Sequence, residues 1–170
     1  GSLQTGELIR LGIELCRIMN YLHSFKPNPI FYLDLHPGNL LICREQLKLI
    51  DFDQAALASL SQERSVCYGT KGFAAPEQYE GGTLDERTDI YAIGALLYYM
   101  GTGHAPEGEI KAGQGSCWGD LYILMGRCLR TEKKERCQSV REVLEALEKL
   151  EARIFAERHI PLLRIAVAGS

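Results

Sequence analysis

Apolar residues recur at helical spacing across residues 7–24. Leu8, Leu11, Leu15, Met19 and Leu22 form one stripe, and Ile9, Ile13, Cys16 and Ile18 widen it. A helix this apolar around its circumference is predicted to be buried. Lys26-Pro27-Asn28-Pro29 ends it, because proline disfavours helix in the residue before it. Two short runs follow, Leu40-Leu41-Ile42 and Leu47-Lys48-Leu49-Ile50, and the residues 43–46 between them predict a β-hairpin connection. Residues 54–80 carry Ser, Gly, Thr, Pro and Gln without a period and predict a long functional loop. The apolar run that comes next predicts a buried helix over 89–100, with Asp89 as its N-cap. Residues 101–119 are glycine-rich and predict an irregular, mobile stretch, and residues 121–129 another apolar helix. Val140, Val143, Leu144, Leu147, Leu150, Ile154 and Phe155 mark one amphipathic helix whose other face is charged, with Glu145 and Lys149 at a favourable spacing. The pattern predicts a mainly α chain with a short β-hairpin. Its main unit is expected over residues 1–158. Residues 159–170 form a tail whose apolar run, Leu162 to Val167, suggests the first strand of a following domain, a short strand or a tag remnant.

Composition narrows the class. A chain of 170 residues suits one domain with a substantial core. A net charge of −3 gives no electrostatic case for nucleic acid or an anionic membrane. The most apolar run, residues 90–100, is about half the length needed to span a bilayer. Six cysteines without a C-x-x-C pair suggest scattered small hydrophobes in a reduced, cytoplasmic protein. No signal peptide opens the sequence, and Gly1-Ser2 looks like a cloning remnant, so the natural start is expected upstream.

The chemistry concentrates in Tyr32-Leu33-Asp34-Leu35-His36-Pro37-Gly38-Asn39-Leu40-Leu41 and in Asp51-Phe52-Asp53. Asn39 stands just before the first hairpin strand and Asp51 just after the second. Hairpin topology puts both at the same end, where they can converge on one metal–nucleotide site. A carboxylate at Asp34 can orient a nucleophilic hydroxyl, and the Asn39 amide with the Asp51 carboxylate offers the hard oxygen ligands that Mg²⁺ prefers.

These residues resemble the H-R-D-L-x-x-x-N and D-F-G motifs of eukaryotic-type Ser/Thr protein kinases. Gly69-Thr70-Lys71-Gly72-Phe73-Ala74-Ala75-Pro76-Glu77 resembles the end of a kinase activation segment, which closes on A-P-E. With the order helix, hairpin, long loop and helices, the chain is similar over residues 7–150 to the C-terminal lobe of a protein kinase, a lobe of the α+β class. The resemblance implies ATP and Mg²⁺ as cofactors and a protein as substrate. It implies Asp34 as catalytic base, Asn39 and Asp51 as nucleotide and Mg²⁺ ligands, and Phe52 packed beneath the site. Thr70 would help form the substrate shelf near Asp34. Glu77 would pair with a buried arginine, where Arg136 stands, and Asp89 would hydrogen-bond the backbone of the catalytic loop or simply cap its helix. The Ala-Pro-Glu-Gln wording hints at a bacterial source.

Several positions depart from the family. Tyr32 and Leu33 replace the His and Arg of H-R-D, and the lost arginine is the usual receiver of an activation-loop phosphate. A phosphate on Ser59, Ser61, Ser65 or Thr70 would lack that partner. His36 replaces the lysine that steadies the γ-phosphate, which makes it a second candidate catalytic residue and a weaker counterion. Asp53 replaces the D-F-G glycine and is a candidate further Mg²⁺ ligand. The sequence holds no G-x-G-x-x-G loop, V-A-I-K lysine or partner glutamate helix; those parts of the N-terminal lobe would have to precede residue 1. The expected function is the C-lobe of a Ser/Thr protein kinase, inactive in isolation. The alternative is a pseudokinase or stand-alone lobe that binds a partner, the missing lobe or a second copy through an exposed apolar face. Asp-Leu-His-Pro-Gly-Asn also resembles small-molecule phosphotransferases of the aminoglycoside and choline kinase kind, but the A-P-E segment and Arg136 weigh against that reading.

Overall fold

The computed structural model describes residues 3–61, 69–107, 110 and 117–168. It is mainly helical with two small two-stranded sheets. Helix α1 (Thr5–His23) leads through strand β1 (Ile30–Phe31) to a 3₁₀ turn at Pro37–Asn39, and then to the hairpin β2 (Leu40–Cys43) and β3 (Gln46–Leu49). Strand β4 (Ala56–Leu57), α2 (Ala58–Ser61), α3 (Pro76–Glu80), α4 (Glu86–Thr102), α5 (Cys117–Cys128) and α6 (Val140–Ala168) complete it.

The predicted apolar stripes become one core. Leu8, Ile9, Leu15, Cys16 and Met19 of α1 pack with Ile90, Ile93, Leu96 and Leu97 of α4, and with Leu121, Met125, Val143 and Leu147 of α5 and α6. Burying each such aliphatic side chain favours folding by about 1.5–3 kcal/mol. Close approach of α4 to α5 requires Gly94, because a Cβ there would lie 2.5 Å from the Cβ of Cys128.

The hairpin pairs Leu40 with Leu49 and Cys43 with Gln46. Its two-residue turn puts both Arg44 (φ +51) and Glu45 (φ +64) in the left-handed region, the backbone of a type I′ turn made without glycine or asparagine. Glu14 of α1 fixes its orientation by accepting from the Leu47 amide at 2.9 Å. Beyond β3, the Ile50 amide donates to the Asn39 carbonyl at 3.0 Å, so pairing extends to the residues that flank the site. A second antiparallel pair, Ile30 with Leu57 and Phe31 with Ala56, brings the chain entering the candidate site beside the chain leaving it.

The structure corrects three local expectations. Helix α4 begins at Glu86, and its N-cap is Asp85, whose carboxylate accepts from the Arg87 amide at 2.9 Å while Thr88 Oγ1 accepts from the Asp85 amide. Asp89 is therefore not the N-cap; it lies inside the first turn, fully buried. The tail, whose apolar run suggests a strand of a following domain, a short strand or a tag remnant, is not a strand: it continues α6 as helix through Ala168. Phe155, counted in the apolar stripe of α6, is 64% exposed. Ser65 and much of the 101–119 stretch, namely 108–109 and 111–116, lie outside the described residues. Among the described residues no helix is long and apolar enough to cross a membrane.

Candidate functional site

The run between β1 and β2 is held from three sides. Beneath it, the Asp89 carboxylate accepts from the Tyr32 amide through Oδ2 and from the Leu33 amide through Oδ1, each at 2.8 Å. Beside it, the buried Tyr32 hydroxyl donates to the carbonyls of Ile50 and Asp51, the latter at 2.8 Å, which ties the run to the far end of the hairpin. Burial, and then the nearby Asp34 and Asp51 carboxylates, push the Tyr32 hydroxyl well above its ordinary range, so it stays a donor. From the third side, Gln78 Nε2 donates to the Leu33 carbonyl at 2.8 Å. Leu33 needs these bonds: its φ of +66 is unusual for a bulky residue. An amide bond to Asp89 and a carbonyl bond from Gln78 hold the residue before Asp34 in a conformation it would otherwise leave.

Asp34 and Asn39 sit together. Asn39 Nδ2 donates to the Asp34 carbonyl at 3.0 Å, and Asn39 is buried. That bond fixes the amide flip and turns Oδ1, the atom able to ligate a cation, away from the carbonyl. Asp34 Oδ1 accepts from Thr70 Oγ1 at 2.9 Å. Its Oδ2 lies 3.7 Å from His36 Nε2. His36 Nδ1 accepts from the Gly38 amide at 3.2 Å, so Nε2 carries the ring proton and faces Asp34. The site thus brings Asp34, Asn39 and Thr70 into one hydrogen-bonded group, with the His36 ring at ion-pair distance from Asp34.

Asp51 is exposed at the hairpin's end with φ +61, and its Oδ1 accepts from the Asp53 amide at 3.2 Å. Asp53 is exposed beside it. Phe52, expected beneath the site, is 47% exposed and rests edge-on against Tyr32 with ring centroids 5.2 Å apart. The donors fit Mg²⁺: an amide oxygen at Asn39 and carboxylates at Asp51 and Asp53 are hard oxygens. Among the described residues no group of three or more His, Cys, Asp or Glu is gathered to hold a metal unaided. Mg²⁺ is ordinarily held by one or two carboxylates together with substrate phosphates and water.

Glu77 and Arg136 form a buried, forked pair. Arg136 NH1 and NH2 donate to Glu77 Oε1 and Oε2 at 2.7 and 2.8 Å. The remaining guanidinium donors reach the carbonyls of Arg87, Arg130 and Thr131, which uses all five N–H groups. Thr88 Oγ1 donates to Glu77 at 3.0 Å, and the guanidinium lies over the Tyr91 ring at 5.1 Å. The pair clamps α3, and with it the segment that carries Thr70, onto α4 and the α5–α6 connection.

Three supporting residues escape sequence reasoning: Gln78, Thr88 and His23. Gln78 stands one place after the A-P-E resemblance and Thr88 three after Asp85, a capping spacing that signals at least Thr88. His23 ends α1 as a lone histidine, which carries no pattern of its own. Its Nε2 lies 2.8 Å from Asp89 Oδ2. Burial alone would push this imidazole down; the Asp89 and Glu86 carboxylates outweigh that and raise it to about 9.

The sequence model of the protein kinase domain matches residues 1–155. Integrin-linked protein kinase 1 of Arabidopsis thaliana is 34% identical over 111 residues, which is 61% of this chain and 23% of that protein. Serine/threonine-protein kinase A of Synechocystis is 28% identical over 179 residues, 91% of this chain and 34% of that protein. The DNA damage-responsive serine/threonine-protein kinase RqkA of Deinococcus radiodurans is 37% identical over 94 residues, 53% of this chain and 14% of that protein. The chain spans about a third or less of the length of these curated relatives. With the protein kinase domain model matching residues 1–155, and serine/threonine-protein kinases of Synechocystis and Deinococcus radiodurans among the proteins it is similar to, the chain belongs to the protein kinase family.

Proposed function

We propose that this chain is the C-terminal lobe of a Ser/Thr protein kinase and carries the residues that orient the acceptor hydroxyl and the metal–nucleotide. The observation that supports it most is the bonded group of Asp34, Asn39 and Thr70, with Asp51 tied to the same run through Tyr32. Asp34 Oδ1, now accepting from the Thr70 hydroxyl, presents the carboxylate that a substrate Ser or Thr hydroxyl would meet; it would take the hydroxyl proton as that oxygen bonds the γ-phosphorus of ATP and the bond from the γ-phosphorus to the bridging oxygen breaks, releasing ADP. His36 Nε2–H faces the other carboxylate oxygen and limits its rotation. Asn39 Oδ1 and the Asp51 carboxylate would hold Mg²⁺, with Asp53 as a further oxygen donor; bound Mg²⁺ supplies charge neutralisation at the nucleotide phosphates. The sequence contains no glycine-rich loop or strand lysine, so we infer that this chain alone turns over little nucleotide. The test is radiolabel transfer from ATP to a generic protein by a longer chain containing this one. Asn39→Ala should raise the Mg²⁺ concentration needed for half-maximal rate, and an unchanged Mg²⁺ requirement would remove Asn39 from the ligand set.

A second reading, a binding module, has its own observation. Leu41 and Ile42 on the hairpin and Ile50 and Phe52 just after it are all exposed, Ile42 by 62%. Exposed apolar side chains of this size favour association. Sedimentation mass across a hundredfold concentration range decides whether the chain pairs with itself; a concentration-independent monomer counts against self-association.

A further inference from the structure

We propose that His23 is a positioning residue for the Asp34 run: its imidazolium is the counter-charge that keeps the Asp89 carboxylate ionised while that carboxylate holds the Tyr32 and Leu33 amides. The geometry is continuous. Asp89 is fully buried and accepts three bonds, from the Tyr32 amide, the Leu33 amide and His23 Nε2, each at 2.8 Å. A carboxylate with no exposure is strongly disfavoured unless a cation accompanies it. Among the described residues, Asp89 forms its ion pair with His23, whose side chain is only 4% exposed.

Two features argue for a charged ring. His23 Nδ1 is buried without a hydrogen-bond partner, and the group nearest to its other side is Glu86 Oε2 at 3.7 Å. A neutral ring with its proton on Nε2 would turn the lone pair of Nδ1 toward a second carboxylate; an imidazolium turns an N–H toward it. The titratable groups facing His23 are thus Asp89 and Glu86, both on α4, while the ring edge from β1 is that of Phe31 with centroids 5.6 Å apart. Both carboxylates favour the charged ring. The consequence reaches Asp34, because Leu33 sits at φ +66 and the Asp89 bond to its amide is one of the two that hold it there.

The effect on phosphoryl transfer rests on the kinase reading; the effect on the loop does not, so the test is made on this chain by NMR. The His23 ring should titrate with a midpoint near 9, and Glu86→Gln, at a half-exposed position, should lower it. In His23→Gln, which keeps a donor but loses the charge, the Tyr32 and Leu33 amides should exchange roughly tenfold or more faster at pH 7. Core amides of α6 such as Leu147 should change much less. Above the His23 midpoint the wild type also loses the charge, so the two proteins should converge. A merely structural histidine would give a difference independent of pH. A His23 ring neutral at pH 7, an equal acceleration of all amides, or a pH-independent difference overturns the proposal. If His23→Gln does not fold, the Glu86→Gln midpoint and its Tyr32 and Leu33 exchange decide the matter alone, and no shift in either refutes it.

Discussion

Arg136→Met should be among the most damaging single substitutions outside the Asp34 group. The guanidinium is fully buried and makes five hydrogen bonds, two to the Glu77 carboxylate and three to the Arg87, Arg130 and Thr131 carbonyls. Methionine fills much of the volume but supplies none of these donors. Glu77 is then left as a buried anion whose remaining side-chain bond in the cluster comes from Thr88. Stranding one partner of a buried ion pair typically costs 3–5 kcal/mol, so about 4 kcal/mol is expected here. For a domain of this size that corresponds to a Tm lower by about 10 °C. The assay is urea unfolding of this chain, wild type against Arg136→Met, Glu77→Gln and the double variant. Both single variants should lower the midpoint with little change in slope. The double variant should be clearly less damaged than the two losses combined, with a coupling energy of about 2 kcal/mol. Arg136→Lys keeps the charge but not the fork and should fall between wild type and Arg136→Met. A loss under about 1 kcal/mol for Arg136→Met, or zero coupling with Glu77, would refute the claim that this pair clamps the segment carrying Thr70.

Three other outcomes are expected. The His23 imidazole is raised from 6.5 to about 9, and a value raised in the folded state contributes stability that is full below pH 6.5 and lost as the pH climbs through 9. The wild type should therefore lose about 3 kcal/mol relative to His23→Gln across that window, measured as the difference in unfolding free energy at several pH values. Gly94→Ala forces a Cβ to 2.5 Å from that of Cys128, and thermal unfolding should show a destabilisation of about 1–3 kcal/mol. Arg44→Asn with Glu45→Gly places residues suited to φ +51 and φ +64 in the hairpin turn and should stabilise by about 1 kcal/mol, visible as a higher urea midpoint.

What the sequence discloses follows from how local each signal is. Helices α1, α5 and α6 and the β2–β3 hairpin declare themselves through spacing, because a long periodic stripe has few alternative readings. The start of α4 is ambiguous in the sequence because Asp85 and Asp89 are both residues suited to a cap, and the bonds that separate them, from the Arg87 amide to Asp85 and from the Asp85 amide to Thr88, exist only in the fold. Strands β1 and β4 have two residues each, too few to show a period; they exist because the chain on either side of the site must meet. The apolar run of 162–167 reads as strand or helix alike, and it joins a helix already propagating from Val140. The residues of the Asp34 group were legible as residues, but not the contacts that hold them. His23 and Asp89 are 66 positions apart, so their contact is a product of the fold alone. The left-handed backbone at Leu33 is likewise invisible in a residue type that normally avoids it. The exposure of Phe52, expected beneath the site, depends on the path the chain takes after Asp51 at φ +61.

Phosphoryl transfer from labelled ATP to a generic protein, by a longer chain containing this one, tests the role of Asp34 most directly when wild type is set against Asp34→Asn at matched Mg²⁺. The isosteric amide keeps the Thr70 contact geometry but cannot take the hydroxyl proton. The rate should fall by at least roughly a hundredfold with unfolding unchanged. Equal rates in the two proteins would contradict the assignment of Asp34 as the base.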